Sequence, residues 1–409
     1  MLGEKRFIKS IRLRNLLSYG EGSEEISTES LNVLIGPNSS GKSNLIEVIG
    51  ILQSAPSDLT AAFRRSGSGV AEWLWKGSEN TPNAEIEVTV YYPAGVMGLR
   101  HRISFTVEGQ RFQLVDEVVE NERRQHQDQR DAFFYYRFQD GHPLLSVRTV
   151  PQDHPRKDED RVERKLRRED VALDQSVLSQ RKDPDQYPEI TYLATQYSKM
   201  KLYREWILGR YTPPRLPQPT DSPGDFLEED ARNLGLVLNA LEHQGGKTWE
   251  MILENLRRFA DGFNDISTRI QGGTVQVFLR EKELRQPIPA TRLSDGTLRF
   301  LCLLSVLCHP SPPPVICIEE PELDLHPDIL PAIAELLVDA SSRTQLFVTT
   351  HSDILIDALS ETPEAVIVCE KSKGASTLRR LDKEELAAWL KRYSLGQLWR
   401  TGELGGNRW

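Results

Sequence analysis

Gly36-Pro37-Asn38-Ser39-Ser40-Gly41-Lys42-Ser43 matches the phosphate-loop pattern G-x-x-x-x-G-K-[ST] at every fixed position. The apolar run Leu31-Asn32-Val33-Leu34-Ile35 before it reads as a buried strand. Asn44-Leu45-Ile46-Glu47-Val48-Ile49 after it reads as a helix. In a strand, glycine-rich turn and helix start, backbone N–H groups can close round a phosphate, with the helix's partial positive charge behind them. The segment from Gly36 to Asn44 is therefore the expected ATP cradle. Lys42 would reach the β- and γ-phosphates, and the Ser43 hydroxyl would bind Mg²⁺, a hard cation that prefers oxygen.

Composition sets the frame for this loop. A chain of 409 residues is long enough for two or three modules, and 38% hydrophobic with 27% charged residues fits a soluble globular protein. No apolar run reaches the roughly 18 residues a membrane span needs, and the start Met1-Leu2-Gly3-Glu4-Lys5-Arg6 leads into no signal-like segment. A net charge of −9 supplies no global attraction to DNA or acidic membranes, although local basic patches could still bind nucleic acid. Cys302, Cys308, Cys317 and Cys369 lie in apolar segments without zinc-ligand spacing, so they read as buried thiols of a cytoplasmic protein.

Three further stretches carry chemistry. Val315-Ile316-Cys317-Ile318-Glu319-Glu320 is an apolar strand that ends in two acids. The carboxyl end of such a strand is where α/β proteins hold ligands. Glu319 would hold Mg²⁺, directly or through water, and Glu320 would orient the attacking water. Leu346-Phe347-Val348-Thr349-Thr350-His351-Ser352 is a second buried strand, and as a sheet neighbour of the first it would deliver His351 to the γ-phosphate. Arg292-Leu293-Ser294-Asp295-Gly296-Thr297-Leu298-Arg299 precedes the helical run Phe300–Leu307. Ser294 and Gly296 at that helix start make a second anion site, which in a two-fold dimer would cap the partner's γ-phosphate.

Along the chain, residues 5–19 open with a strand whose Ile11 and Leu13 alternate with Arg12 and Arg14. β-like runs at 85–92, 102–107, 111–119 and 132–138 predict an antiparallel sheet beside the nucleotide site. Residues 151–186 are charged and read as an exposed helix or mobile insertion. Arg161, Arg164, Lys165, Arg167 and Arg168 could contact DNA or a partner, with interleaved acids counting against DNA. Residues 211–224 read as a Pro-rich linker, followed by helices at 226–243 and 247–261, a strand at 274–280, and alternating strands and helices. The predicted organisation is an N-terminal lobe at 1–150, a charged insertion and linker at 151–225, and a C-terminal lobe at 226–409. The tail Gly402-Glu403-Leu404-Gly405-Gly406-Asn407-Arg408-Trp409 offers an Arg-Trp pair suited to an interface.

These elements, in this order, resemble the ATP-binding-cassette (ABC) ATPases, and more closely the branch holding SMC, RecF and the OLD nucleases. Ile11-Arg12-Leu13-Arg14-Asn15-Leu16-Leu17-Ser18-Tyr19 is similar to that branch's opening strand, and Leu293-Ser294-Asp295-Gly296-Thr297 to its signature motif. Glu319-Glu320-Pro321-Glu322-Leu323-Asp324-Leu325-His326-Pro327 resembles the Walker B motif and D-loop of the AAA family ATPases of bacterial anti-phage systems. Glu319 stands where that pattern has Asp, and His326 where the D-loop often has Asp. Gln196 in Thr195-Gln196-Tyr197 is the candidate Q-loop residue, since Gln53 stands too close to the phosphate loop. The resemblance implies an α/β ABC-type P-loop head with a mixed or parallel sheet, an antiparallel subdomain and a helical, charged insertion. It also implies ATP and Mg²⁺ as ligands, and an ATP-dependent homodimer or larger even-numbered homo-oligomer. The stretch after His351 reads as two strands, a helix at 383–393 and a short tail, with no OLD-type nuclease domain. The expected role is a defence ATPase that regulates a separate effector, a nuclease, in trans. The alternative is a RecF-like repair ATPase that clamps DNA. A transporter ATPase is disfavoured by LSDGT in place of LSGGQ.

Overall fold

The computed structural model describes residues 6–65, 67, 69–124, 131–139, 142–148, 161–166 and 172–406. Its centre is a six-stranded sheet in the order Lys201–Tyr203, Val315–Glu319, Gln345–Thr349, Leu31–Ile35, Val366–Ser372, Ala375–Arg380. The first five strands run parallel and the last is antiparallel. Alternate residues of the strands enter two different cores. Val33, Ile35, Ile316, Ile318, Leu346 and Val348 face one, and Leu34, Val315, Cys317 and Phe347 face the other. Burial on both faces explains why the central strands read as mostly apolar runs.

The first core is covered by the helices Asp295–Leu307 and Leu330–Ser341, whose apolar residues join it. The second holds the phosphate-loop helix Lys42–Ser54 together with an eight-stranded antiparallel sheet. That sheet runs Ile26–Ser27, Ile8–Arg14, Ala84–Val90, Leu99–Glu108, Arg111–Asn121, Phe134–Gln139, His142–Arg148, Arg161–Lys165. The opening strand keeps the expected alternation. Ile11 and Leu13 are buried, while Arg12 and Arg14 pair with Glu87 and Glu85 of the neighbouring strand at 3.5 and 3.3 Å. Gln345 rivets the two sheets together. Its side chain accepts from Ile8 N at 2.8 Å and donates to Ile8 O at 2.8 Å and Glu29 O at 3.0 Å.

Three sequence readings are corrected. Arg161–Lys165 is neither helix nor mobile insertion but the edge strand of the antiparallel sheet, paired with His142–Arg148. All its residues but Val162 are charged, and Arg161 is drawn inward to Glu189 at 2.7 Å and over the Tyr135 ring. Arg167 and Arg168 lie outside the described residues, as do Asn407, Arg408 and Trp409 of the tail. Second, the Pro-rich stretch is no free linker. Gln218–Pro219 pairs with Thr274–Val275 in a small antiparallel sheet with Phe263–Gln271. Third, the helix expected at 226–243 begins only at Leu234. Before it, Glu228 and Glu229 are occupied by Lys201 Nζ at 3.0 Å and Leu202 N at 3.0 Å, which fixes the short strand Lys201–Tyr203.

Candidate functional site

The phosphate loop leaves its strand at Gly36 with φ 147°, and a Cβ there would lie 2.2 Å from the Cys369 carbonyl oxygen. Only glycine fits so close to the neighbouring strand. The loop then curls round the Lys42 ammonium, which donates to Gly36 O at 2.8 Å and Pro37 O at 3.0 Å. Tyr19 OH bonds Gly41 O at 2.9 Å, and Asn44 Nδ2 bonds Ser18 Oγ at 2.7 Å, so the turn after the opening strand holds the far side of the loop. Pro37, Ser39 and Ser40 lie between these anchors, Ser39 with φ 65° and Ser40 buried. Asn38 is exposed on the same turn.

Gln345–Thr349 lies between the phosphate-loop strand and Val315–Glu319, so the strand leading to His351 separates the other two. Thr349 is in register with Glu319. Glu319 accepts a hydrogen bond from Ser43, which brings the two expected metal ligands together. Burial pushes the Glu319 carboxyl above the ordinary range, opposed by Arg204 and by the hydrogen bond from Ser43. Glu320 follows in a left-handed conformation, φ 47°, unusual for a residue with a Cβ, and its N–H donates to Thr349 O at 3.0 Å. Its carboxylate lies 3.8 Å from His351 Nε2, both side chains partly exposed. Glu322 receives the Thr350 hydroxyl at 2.6 Å and the His351 N–H at 2.8 Å.

The signature segment is built separately. Ser294 caps the helix Asp295–Leu307, accepting from Thr297 N at 3.1 Å. A Cβ on Gly296 would meet Asp324 O at 2.4 Å, so this glycine lets the helix start rest on the D-loop. Arg299 adds an ion pair to Asp324 at 3.2 Å. His326 caps the following turn by accepting from Asp328 N at 3.3 Å. Buried Arg215, from the Pro-rich stretch, donates Nε to Leu208 O at 2.6 Å and its other nitrogens to Ala290 O, Leu293 O and the Asp295 carboxylate.

A cavity of about 660 Å³ opens beside the paired acids. Its described lining includes Glu319, Glu320, Glu47, Gln53 and Arg204, but neither Ser294 nor His351. Arg204 was not anticipated from sequence. The strand before it is only three residues long, too short to carry a periodic signal, and the residues Arg204 touches lie far away in the chain. Gln53 donates to Met200 O at 2.8 Å and Glu229 at 2.6 Å, whereas Gln196 sits on the helix Pro188–Lys199 and is not among the cavity's lining residues.

The donor set fits Mg²⁺ held with a nucleotide. It presents a hydroxyl and a carboxylate in contact, both hard oxygen ligands, next to a loop shaped round a cation. Among the described residues no group of three or more His, Cys, Asp or Glu side chains is placed to hold a metal alone. The four cysteines are buried and free. Burial pushes the thiols of Cys302, Cys308 and Cys369 up to about 12. No helix among the described residues is long and apolar enough to cross a membrane.

The fold is that of the SMC heads, and the phosphate-loop pattern on it is that of a nucleotide-binding protein. The chain belongs to the family described as "AAA domain, putative AbiEii toxin, Type IV TA system", whose model matches residues 31–357. Among solved structures it is similar to an SMC head bound to the C-winged helix domain of ScpA. Identity there is 15% and the TM-score 0.57, with 93% of this chain and 99% of that one covered. It is also similar to an SMC head with an extended coiled coil bound to the C-terminal domain of ScpA, from Pyrococcus furiosus. That pair shares 12% identity at a TM-score of 0.58, covering 94% and 98%. A third is an SMC head with coiled coil and joint from Pyrococcus yayanosii, at 11% identity and TM-score 0.50, covering 94% and 99%. At these identities the likeness speaks to fold. Comparison with curated proteins gives no match.

Proposed function

We propose that this chain hydrolyses ATP and uses the nucleotide to join two heads into a switch that regulates a separate effector, a nuclease, in prokaryotic anti-phage defence. The observation that carries the ATPase reading is the convergence of Ser43 on Glu319 at the mouth of the phosphate loop, with Glu320 and His351 alongside. Ser43 and Glu319 would hold Mg²⁺, and Lys42 would bind the phosphates. Bound Mg²⁺ neutralises charge on the phosphates and favours departure of ADP. Glu320 orients the water for in-line attack and accepts its proton, while His351 contacts the γ-phosphate.

Dimerisation is supported by the second helix start, where Ser294 and Gly296 offer an anion site built on a different element from the phosphate loop. The family description, which names a "putative AbiEii toxin" of a toxin–antitoxin system, fits a part in controlling a toxic activity. For direct DNA clamping, Arg161 of the basic cluster is taken up in a buried ion pair, while Arg164 and Lys165 are exposed.

The test is Glu320→Gln. It should bind ATP like wild type, lose hydrolysis by about 10²- to 10⁴-fold, and accumulate as an ATP-bound dimer in light scattering. Wild-type turnover by this variant would remove Glu320 from the mechanism. Affinity capture of the same variant with ATP from cells carrying its native gene neighbourhood should recover a stoichiometric protein partner. Nucleic acid alone in that capture would favour the repair-clamp alternative.

A further inference from the structure

Arg204 follows directly after the edge strand Lys201–Tyr203. Tyr203 is in register with Ile318, so the next residue along, Arg204, comes level with Glu319 at the carboxyl end of the sheet. Its Nε meets Glu319 at 2.7 Å and a terminal nitrogen meets Glu47 at 2.8 Å. The guanidinium therefore bridges two carboxylates, one on the acidic strand and one on the phosphate-loop helix. Both are largely buried, 14% and 19% exposed, while Arg204 keeps 41% exposure and room to swing. Of the described residues lining the adjoining cavity, six are acids and Arg204 alone is a cation. Its backbone position is fixed: Leu202 N bonds Glu229 at 3.0 Å and Tyr203 OH bonds Leu227 O at 2.6 Å. The side chain is therefore the part that can move.

We propose that Arg204 gates the metal site: its guanidinium holds Glu319 in the nucleotide-free protein, and a metal must displace it to reach that carboxylate. Two cations cannot neutralise one carboxylate oxygen at the same distance without repelling each other. The gate opens when a polyphosphate seated on the phosphate loop offers the displaced guanidinium a new anionic acceptor. Arg204 then changes from a lock on the metal ligand to a phosphate ligand. A metal alone does not load the site, whereas a metal and ATP together do. The proposal rests on the ATP-site reading above.

The test is direct titration of Mn²⁺, followed by electron paramagnetic resonance, into full-length wild type, Arg204→Ala and Arg204→Lys without nucleotide. Mn²⁺ should bind Arg204→Ala about fivefold or more tighter than wild type, with Arg204→Lys between them. Equal or weaker binding by Arg204→Ala overturns the gate. If the Ala variant unfolds, judged by circular dichroism, Arg204→Gln takes its place. Fluorescent mant-ATP with Mg²⁺ should bind Arg204→Ala about fivefold or more weakly. Unchanged mant-ATP affinity overturns the phosphate-ligand half. If wild type fails to bind mant-ATP at all, the ATPase reading fails, while the nucleotide-free Mn²⁺ comparison still decides the gate.

Discussion

Glu322 shows how a residue beside the chemistry can set its geometry. Its Oε1 receives the Thr350 hydroxyl and the His351 N–H, so it fixes the turn that presents His351. Its Oε2 is buried without a hydrogen-bond partner. Burial pushes the carboxyl above its ordinary value, and those two hydrogen bonds pull it back only in part. The native state then holds the Glu322 proton more tightly than the unfolded state. Stability contributed by this group is present at low pH and is lost as pH rises through the raised native value. Glu322→Gln keeps the acceptor at Oε1 and cannot ionise. Thermal melts from pH 4.5 to 8 should show the variant gaining on wild type as pH rises, by at most about 1.4 kcal/mol per pH unit inside the titration window. A difference that stays flat across that range would remove the buried charge as the cause. The sequence made the paired acids, Lys42, Ser43, Ser294 and His351 visible, because each sits in a short local pattern at the end of a recognisable strand or at the start of a helix. Glu322 and Arg204 carry no such mark. Arg204 reaches Glu319 across 115 positions, a distance that only the sheet order closes.

At the scale of elements, the stretch 211–224 departs furthest from its expected role. Proline and polar content mark it as a linker, yet Arg215 turns it into a clasp on the signature segment, 80 positions away. Asp295 is more than half exposed, so the ion pair itself contributes little. The larger share lies in the buried carbonyls of Leu208, Ala290 and Leu293, which lose their donor if Arg215 is removed. Arg215→Met should therefore lower stability in urea unfolding by about 2–4 kcal/mol while ATP binding at the phosphate loop persists. A loss under about 1 kcal/mol would show that water takes over these carbonyls. The strand Arg161–Lys165 was misread for a related reason. An edge strand with one face to solvent carries charges at nearly every position, and its pairing partner is set by the sheet rather than by its own composition.

For the whole molecule, the testable consequence is assembly. Ser294→Arg in the Glu320→Gln background places a long cation on the helix start that would meet the partner's nucleotide. Loss of the serine cap costs about 1 kcal/mol, so the fold should survive. Light scattering with ATP should show monomer where the single variant is dimeric, and dimers in the double variant would rule out a signature contribution in trans. The parallel sheet itself was legible as a set of buried strands. Its order was not, because Leu31–Ile35, Lys201–Tyr203 and Val315–Glu319 are drawn together from remote parts of the chain.

That order bears on how the protein is made. Leu31–Ile35, the strand that launches the phosphate loop, pairs on one side with Gln345–Thr349 and on the other with Val366–Ser372. Neither neighbour exists until about 300 residues later in synthesis, so at ribosomal speeds of about 5–20 residues per second the strand waits for about 15–60 s. Through that interval a segment that is apolar but for Asn32 has no parallel neighbour to join. The phosphate loop's strand thus stays without its parallel neighbours while residues 36–344 are made, an interval in which a chaperone would protect it.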